Sequence, residues 1–565
     1  MEKINGKVFS FIIWFIVIGI LVYSRFINIG WGLPYPMHPD ERNMVTAIQQ
    51  LNCQSPIVGL NLPTSMSGNW EPVTSWIKII KPLDISNCFN PRFFAYGQFP
   101  LYFGYIVVFF LKFFDGDLGF PISFQEAAIS LRIISAIASI INAIIIIKII
   151  KVITKKESYL LSLISYLLII FSPFAIQFAH FGTTESLLML FYSLIIYLSM
   201  LMLERRTIDA VVWLALVSGL TVATKISSII FIIVPLITIL SSLRPWDRYK
   251  NIIKFGMLTI IFMVLFSPHN LINLKDFISS MNYESDVALG KYLVFYTRQF
   301  FNTQPILFQL EKVFPYTLGW SVFILGSLGF LGLSWKDRKI NLLRFAFLIY
   351  FIPSAVIYAK WSRFMAPIFP LMLIFSVLFL QNLIFKLNHK FWIPAFAGMT
   401  VLMVIPGVAY LSIYQKSDVR FQASKWIYKN IPNNSYILSE TANVVDIPVE
   451  SESYKVHNVY KVISFNFYDI DESPILQQEL ADHLAKADYI FVPSRRIFAN
   501  HPKQKYPVLN KYYEDLFSGK LGFEKVAEFE SYPEIFQWKF PDEEAEETWI
   551  VFDHPVIRIY KKIKS

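Results

Sequence analysis

Adjacent carboxylates at Asp40 and Glu41, within YPMHPDERN (35–43), are the first residues whose types could do chemistry. Such a pair can take a proton from an attacking hydroxyl or help hold a divalent cation. It also suits the first turn of a helix, here RNMVTAIQQLN, where Pro and acids meet the favourable end of the macrodipole. Spacing alone does not separate the two readings.

Other ionisable residues interrupt otherwise apolar sequence. They are Arg132, His180 and Glu185 (QFAHFGTTESLLML), Lys225 (GLTVATKISSII) and Arg363 (KWSRFMAPIFP). Lys and Arg side chains bind phosphate. Glu185 also fits the start of a helix, and Arg132 and Arg363 also fit residues that snorkel to an interface. Lys225 has no partner near it in sequence. A charge there costs roughly 2.5–3.5 kcal/mol in a bilayer, so it is expected to face an aqueous cavity or an anion. Between 269 and 315, Tyr283, Glu284, Asp286, Tyr296 and Arg298 could order over a bound substrate, or belong to a solvated loop.

The elements that must position these residues are membrane helices. Of 565 residues, 55% are hydrophobic and 16% charged, and the mean hydropathy is +0.47. Soluble proteins carry about a quarter charged residues. Apolar runs begin with VFSFIIWFIVIGILVY and continue at 130–150, 158–178, 185–203, 209–224, 226–243, 251–268, 316–334, 341–358, 364–385 and 391–411. Read as helices, these make about eleven spans. The first has no small-residue cleavage site after it and is read as an uncleaved span.

Lys and Arg are retained on the cytoplasmic side. With the N-terminus there, the loops KIIKVITKKE, ERRTID, RPWDRYK, WKDRK and KLNHK fall on that side, and all are basic. The net charge of +10 then needs no nucleic acid to explain it. This alternation puts the first loop (29–130), the loop 269–315 and everything after 411 outside. It also puts Asp40, Arg132, Glu185, Lys225 and Arg363 at one outer boundary. FPLYFGYIVVFFLKFF (99–114) is short for a span and is expected to lie in the outer interface, among juxtamembrane helices of the first loop.

From 412 to 565 the sequence turns polar and alternating. SYILSE, KVISFNFY, ADYIFVPS, FEKVAEFES and VIRIYKK read as strands and SPILQQELADHLAKA as a helix. The expected architecture is a polytopic α-helical membrane domain, 1–411, followed by an extracytoplasmic α/β domain, 412–565. The two cysteines, Cys53 and Cys88, share the first loop and could pair in an oxidising compartment or stay as thiols. There is no P-loop and no tandem repeat, which argues against an ATP-driven pump and a solenoid. No ligand cluster names a metal.

HPDE, YGQFPLY, LRIIS, HFGTTES, GLTVATK and RFMAPIFP occur in the order in which the GT-C glycosyltransferases carry them, and the chain resembles that family over about residues 8–411. Within it, the likeness is greatest to the protein O-mannosyltransferases and the aminoarabinose transferase of lipid A. The resemblance implies a membrane enzyme that moves one sugar, hexose or pentose, from a polyprenyl-phosphate donor to a protein, lipid or cell-envelope acceptor outside the cytoplasm, with inversion. It implies Asp40 as general base and Glu41 as its positioning neighbour. Lys225, Arg132 and Arg363 would hold the donor phosphate, and Glu185 stands at the second acidic position. That position is near a metal in some relatives, so a divalent cation is a candidate cofactor. The competing reading is a transporter of lipid-linked saccharides. A transporter places charges near mid-membrane in two related halves, neither of which is evident here.

Overall fold

In the computed structural model, residues 2–52, 87–116, 119, 121–155, 159–205, 209–386, 389–441, 445–450 and 459–563 are described. Cys53 and parts of three of the basic loops (156–158, 206–208 and 387–388) lie outside them. Cys88, which is described, is disulfide-bonded.

The helices follow from local sequence. α1 (Glu2–Phe26) is the first apolar run. α2 (Pro39–Gln49) starts where expected: His38 caps it, accepting the Asp40 N–H, with Pro39 at its first position and Asp40 and Glu41 in its first turn. α3 (Phe99–Asp115) ends at Gly116, whose φ of 73° is the left-handed stop that glycine allows. α4 (Phe124–Thr154) begins earlier than the expected 130. Ser123 and Glu126 form a reciprocal capping box there, the Ser123 N–H donating to Glu126 at 2.7 Å and the Glu126 N–H to Ser123 at 3.2 Å. Arg132 is therefore inside the helix and does not open it.

α5 (Tyr159–Ile170) and α6 (Pro173–His180) are one apolar run bent by 49° at Pro173. α7 (Glu185–Arg205) follows the HFGTTES turn, and α8 (Ala210–Thr224) stops at Lys225, whose backbone is extended. Beyond a 3-10 turn (Ile226–Ile232) come α9 (Ile233–Ser242), α10 (Pro245–Phe266), α11 (His269–Ile272) and α12 (Leu274–Ala288). α13 (Phe314–Leu318) and α14 (Trp320–Gly332) meet at Gly319, φ 79°, and helices there bend by 114°. α15 (Arg338–Val356), a 3-10 turn at Ser362–Ile368, α16 (Phe369–Lys386) and α17 (His389–Gln415) complete the bundle.

The chain is a multi-pass membrane protein. Among the described residues six helices are long and apolar enough to cross a bilayer, or eight if each bent pair is one span. Three further apolar stretches are shorter, Phe11–Phe26 within α1, Ala210–Thr224 and Ile226–Ser242, the last two separated by the break at Lys225. Each of the eleven apolar runs read from sequence folds as a helix or helix pair.

α18 (Val419–Asn430) leads into the C-terminal domain. Its sheet holds β1 (Tyr436–Glu440), β2 (Lys461–Phe465), β3 (Tyr489–Val492), β4 (Phe523–Phe529) and β7 (Ile557–Lys562), in the order β2-β1-β3-β7-β4. β2, β1 and β3 are parallel, and β7 is antiparallel to both β3 and β4. Successive residues point to opposite faces. Leu438 and Ile490 pack with Leu480, Leu509 and Leu516 on one side, while Ile437 and Phe491 pack with Val419, Ala423 and Ile427 on the other. β5 (Glu534–Ile535) and β6 (Trp538–Lys539) form a separate two-stranded hairpin.

A buried polar cluster fastens this domain to the helices. Asp553 accepts hydrogen bonds from Tyr410 (2.9 Å) and Tyr414 (2.8 Å) of α17 and from Gln177 (3.2 Å) of α6. Its other oxygen lies 2.6 Å from His554 Nδ1, and His554 Nε2 lies 3.0 Å from Asp542. Burial by itself would push the imidazole down, but Asp542 and Asp553 overrule it and raise it to about 10. Its contribution is complete below the ordinary histidine value near 6.5 and is lost as pH rises toward 10. The thermal midpoint of the detergent-solubilised protein is expected to exceed that of His554→Gln at pH 6.5, with the gap closing as pH approaches 10.

Candidate functional site

Helix α2 enters the interior at its N-terminus, and what fixes it there is Glu41. Its carboxylate takes a two-pronged ion pair from Arg132, at 2.6 and 2.8 Å, and the Gly182 N–H at 2.9 Å. Arg132 spends its remaining donors on the Ile29 and Trp31 carbonyls, at 2.9 and 2.6 Å. Both side chains are fully buried. Gly182, of HFGTTES, has no side chain for a reason: a Cβ would stand 2.6 Å from Leu131 and 2.9 Å from Glu41. Glu41 and Arg132 are thus satisfied by each other, and neither lines the cavity beside them.

With Glu41 held inward, Asp40 faces the opposite way, into a cavity of about 670 Å³. Lys225, Arg363 and Tyr296 face it too, as do Arg42, Tyr96 and Glu284. Arg363, from the 3-10 turn before α16, pairs with Asp40 and lies over Trp361. Its Nε is buried with no hydrogen-bond partner. Lys225 Nζ stands 3.6 Å from Glu185 and over the rings of Tyr96 (5.1 Å) and Phe364 (5.5 Å). The YGQFPLY segment reaches this point because the Gly97 N–H donates to the Thr224 carbonyl at 3.0 Å, and a Cβ at 97 would overlap the Ala223 carbonyl.

Burial alone would raise the Asp40 carboxyl. Arg363, His38 and Lys225, with a hydrogen bond from Tyr96, more than offset it and hold Asp40 below the usual carboxylate range. Glu284, from α12 across the cavity, is pushed up by burial, with Asp40 adding to the effect and Arg363 and Lys225 opposing it. Tyr96 is raised well above its ordinary value by burial and Asp40, so it remains a donor.

Several residues expected at the site sit elsewhere. His180 lies against Tyr414, its ring nitrogens 2.8 and 2.9 Å from the Ile176 and Ile27 carbonyls. Arg298 turns to the C-terminal domain, bonding to Asp469 (2.9 Å), His501 (3.0 Å) and the Tyr468 carbonyl. Tyr283 packs on Tyr292 and Asp286 pairs with Lys291 at 3.6 Å; neither lines the cavity. Glu185 is buried behind Lys225.

The sequence reading missed Tyr96, Arg42, Trp361 and, from the C-terminal domain, Arg496, Thr548 and Phe552, all of which line the cavity. The YGQFPLY and KWSRF contexts carried a signal for Tyr96 and Trp361. Nothing local marks residues 496, 548 and 552. No group of three or more His, Cys, Asp or Glu among the described residues could hold a metal ion. The cavity offers two carboxylates, Asp40 and Glu284, the first already paired with Arg363.

A multi-pass helical bundle with a polar cavity at one end, roofed by an α/β domain, is the class these features define. Residues 101–272 match the family model described as dolichyl-phosphate-mannose-protein mannosyltransferase. No curated protein sequence matches it. Among solved structures it is similar to ArnT from Cupriavidus metallidurans in the apo state (10% identity, 99% of this chain and 98% of that one, TM-score 0.45). It is also similar to the apo oligosaccharyltransferase of Archaeoglobus fulgidus (12%, 88% and 72%, TM-score 0.46). The latter protein has also been solved with Zn and sulfate (14%, 74% and 62%, TM-score 0.42).

The Glu41–Arg132 pair yields a test that separates support from catalysis. Glu41→Gln leaves Arg132 buried and unpaired, and is expected to cost about 3–5 kcal/mol of stability. Adding Arg132→Met removes the orphaned charge. Thermal melts in detergent should show the double variant recovering much of that loss, with sugar transfer returning alongside it.

Proposed function

We propose that the protein transfers one sugar from a polyprenyl-phosphate donor to a hydroxyl-bearing acceptor at the extracytoplasmic face, with inversion. The observation that carries this reading is the meeting of Asp40, Lys225 and Arg363, from three distant parts of the sequence, at one cavity. ArnT of Cupriavidus metallidurans has been solved bound to undecaprenyl phosphate, and the Archaeoglobus fulgidus enzyme AglB with a dolichol phosphate and an inhibitory peptide. A donor of that kind suits a cavity with Lys225 and Arg363 at its wall.

In this mechanism the donor phosphate draws Arg363 away from Asp40 and settles between it and Lys225. Asp40, released, accepts the proton of the acceptor hydroxyl. The hydroxyl oxygen bonds to the anomeric carbon as the bond from that carbon to the phosphate oxygen breaks, and polyprenyl phosphate departs with the electron pair. Lys225, oriented by Glu185, and Arg363 stabilise the charge that grows on the leaving oxygen. Tyr96 aims the Asp40 carboxylate, and Glu41 and Arg132 position the helix that carries it. No step passes through a divalent cation. With the N-terminus cytoplasmic, the cavity and residues 412–565 lie outside, as the basic loops require. Nothing in the comparisons supports the transporter alternative.

Asp40→Asn is expected to lower transfer from a polyprenyl-phosphate sugar by at least about 10²-fold while the protein stays folded. Full activity in that variant would sink the mechanism. Arg363→Gln removes the charge that opposes burial at Asp40, so the acid limb of kcat/KM should move to higher pH; an unmoved limb would show that Asp40 is not the titrating base.

A further inference from the structure

The hairpin of β5 and β6 is a small element with a large apolar tip. Phe536 is 94% exposed and Trp538 73%, and Phe540 is exposed as well. The two strands are joined by Phe536 and Gln537 alone, and Phe536 has φ 55°. Two-residue hairpin turns usually place Gly or Asn at left-handed positions, because a bulky side chain is strained there. An aromatic residue held in that conformation, with none of the described residues covering it, is an expensive choice for a surface facing water. Strained positions of this kind concentrate where a contact is made.

The position of the hairpin says what that contact is. The Glu534 N–H donates to Ser412 Oγ at 3.1 Å, and Glu534 also pairs with Lys416. Ser412 lies within the apolar stretch Gly398–Gln415 of α17, three residues before its end. The base of the hairpin is therefore pinned beside the last turn of a helix long and apolar enough to cross the bilayer. The same helix exposes Val401 and Leu402 lower down, and α1, whose Tyr23 bonds to Gln415 at 3.2 Å, exposes Val22 and Tyr23. The aromatic tip continues this lipid-facing surface at the depth where Trp and Tyr concentrate in membrane proteins.

We propose that the hairpin Glu534–Lys539 is a membrane-interface anchor, with Phe536 and Trp538 inserted among the lipids of the leaflet beside the outer end of α17. The partner is the bilayer itself, a lipid surface. Together with the Asp553 cluster, which grips Tyr410 and Tyr414 in the same turns of α17, the anchor would hold the roof of the cavity at a fixed height.

The test uses the full-length protein in nanodiscs. Phe536→Cys carries an environment-sensitive fluorophore (NBD), with Trp538→Cys as a second site. Lys520→Cys is the control: it is exposed and precedes β4 at the end remote from the hairpin, the seven residues of that strand putting about 23 Å between its ends. NBD at 536 and 538 is expected to emit at shorter wavelength than at 520 and to be quenched by lipids bearing a shallow nitroxide, while 520 is not. Removing a side chain as exposed as Phe536 leaves the fold intact, which gel filtration verifies. Emission at 536 and 538 matching that at 520, without lipid quenching, would overturn the anchor and point instead to a protein partner.

Discussion

A single buried ion pair, Glu41 with Arg132, underlies the geometry of everything around the cavity. It joins the start of α2 to the third turn of α4 and, through the Gly182 N–H, to the turn between α6 and α7. Consecutive residues on a helix point about a hundred degrees apart. Committing Glu41 to Arg132 therefore leaves Asp40 only one direction to face, and that direction holds Lys225 and Arg363. The two neighbouring carboxylates have unlike surroundings: one satisfied on all sides in the protein interior, the other paired with an arginine that retains an unpartnered donor.

This division of labour could not be read from the sequence, where HPDE looks the same whichever acid does the chemistry. What could be read was the set of segments that meet. HPDE, HFGTTES, GLTVATK and RFMAPIFP each stand out because a charge or glycine breaks an apolar run, and a bilayer makes such breaks costly. The strands after residue 412 were legible for a similar reason, since their alternation is the sheet's own period, and all five appear in the structure. Arg132 illustrates the limit. As an arginine near the start of a span it resembled a phosphate ligand, and only the capping box at Ser123 shows that the helix had begun two turns earlier. Arg496, Thr548 and Phe552 gave no signal at all, because their relation to Asp40 exists only in three dimensions.

The contribution of the C-terminal domain is correspondingly specific. Its loops enclose one side of the cavity, and Phe552 packs on His38, the residue that caps α2 immediately before Asp40. The Asp553 cluster that holds this loop uses both tyrosines of α17 and a glutamine of α6. A protonated imidazole between two aspartates is tolerable in the interior because its charge and theirs are mutually compensating and hydrogen-bonded. The domain is thus built into the wall of the cavity.

That Thr548 and Phe552 lie at the far end of the sequence from Asp40 bears on how the molecule comes into being. A nascent chain reaches the membrane from its first residues onward, so Asp40, Lys225 and Arg363 are synthesised before the residues of the C-terminal domain that wall them in. The cavity closes only when the segment carrying Thr548 and Phe552 has folded against α6 and α17.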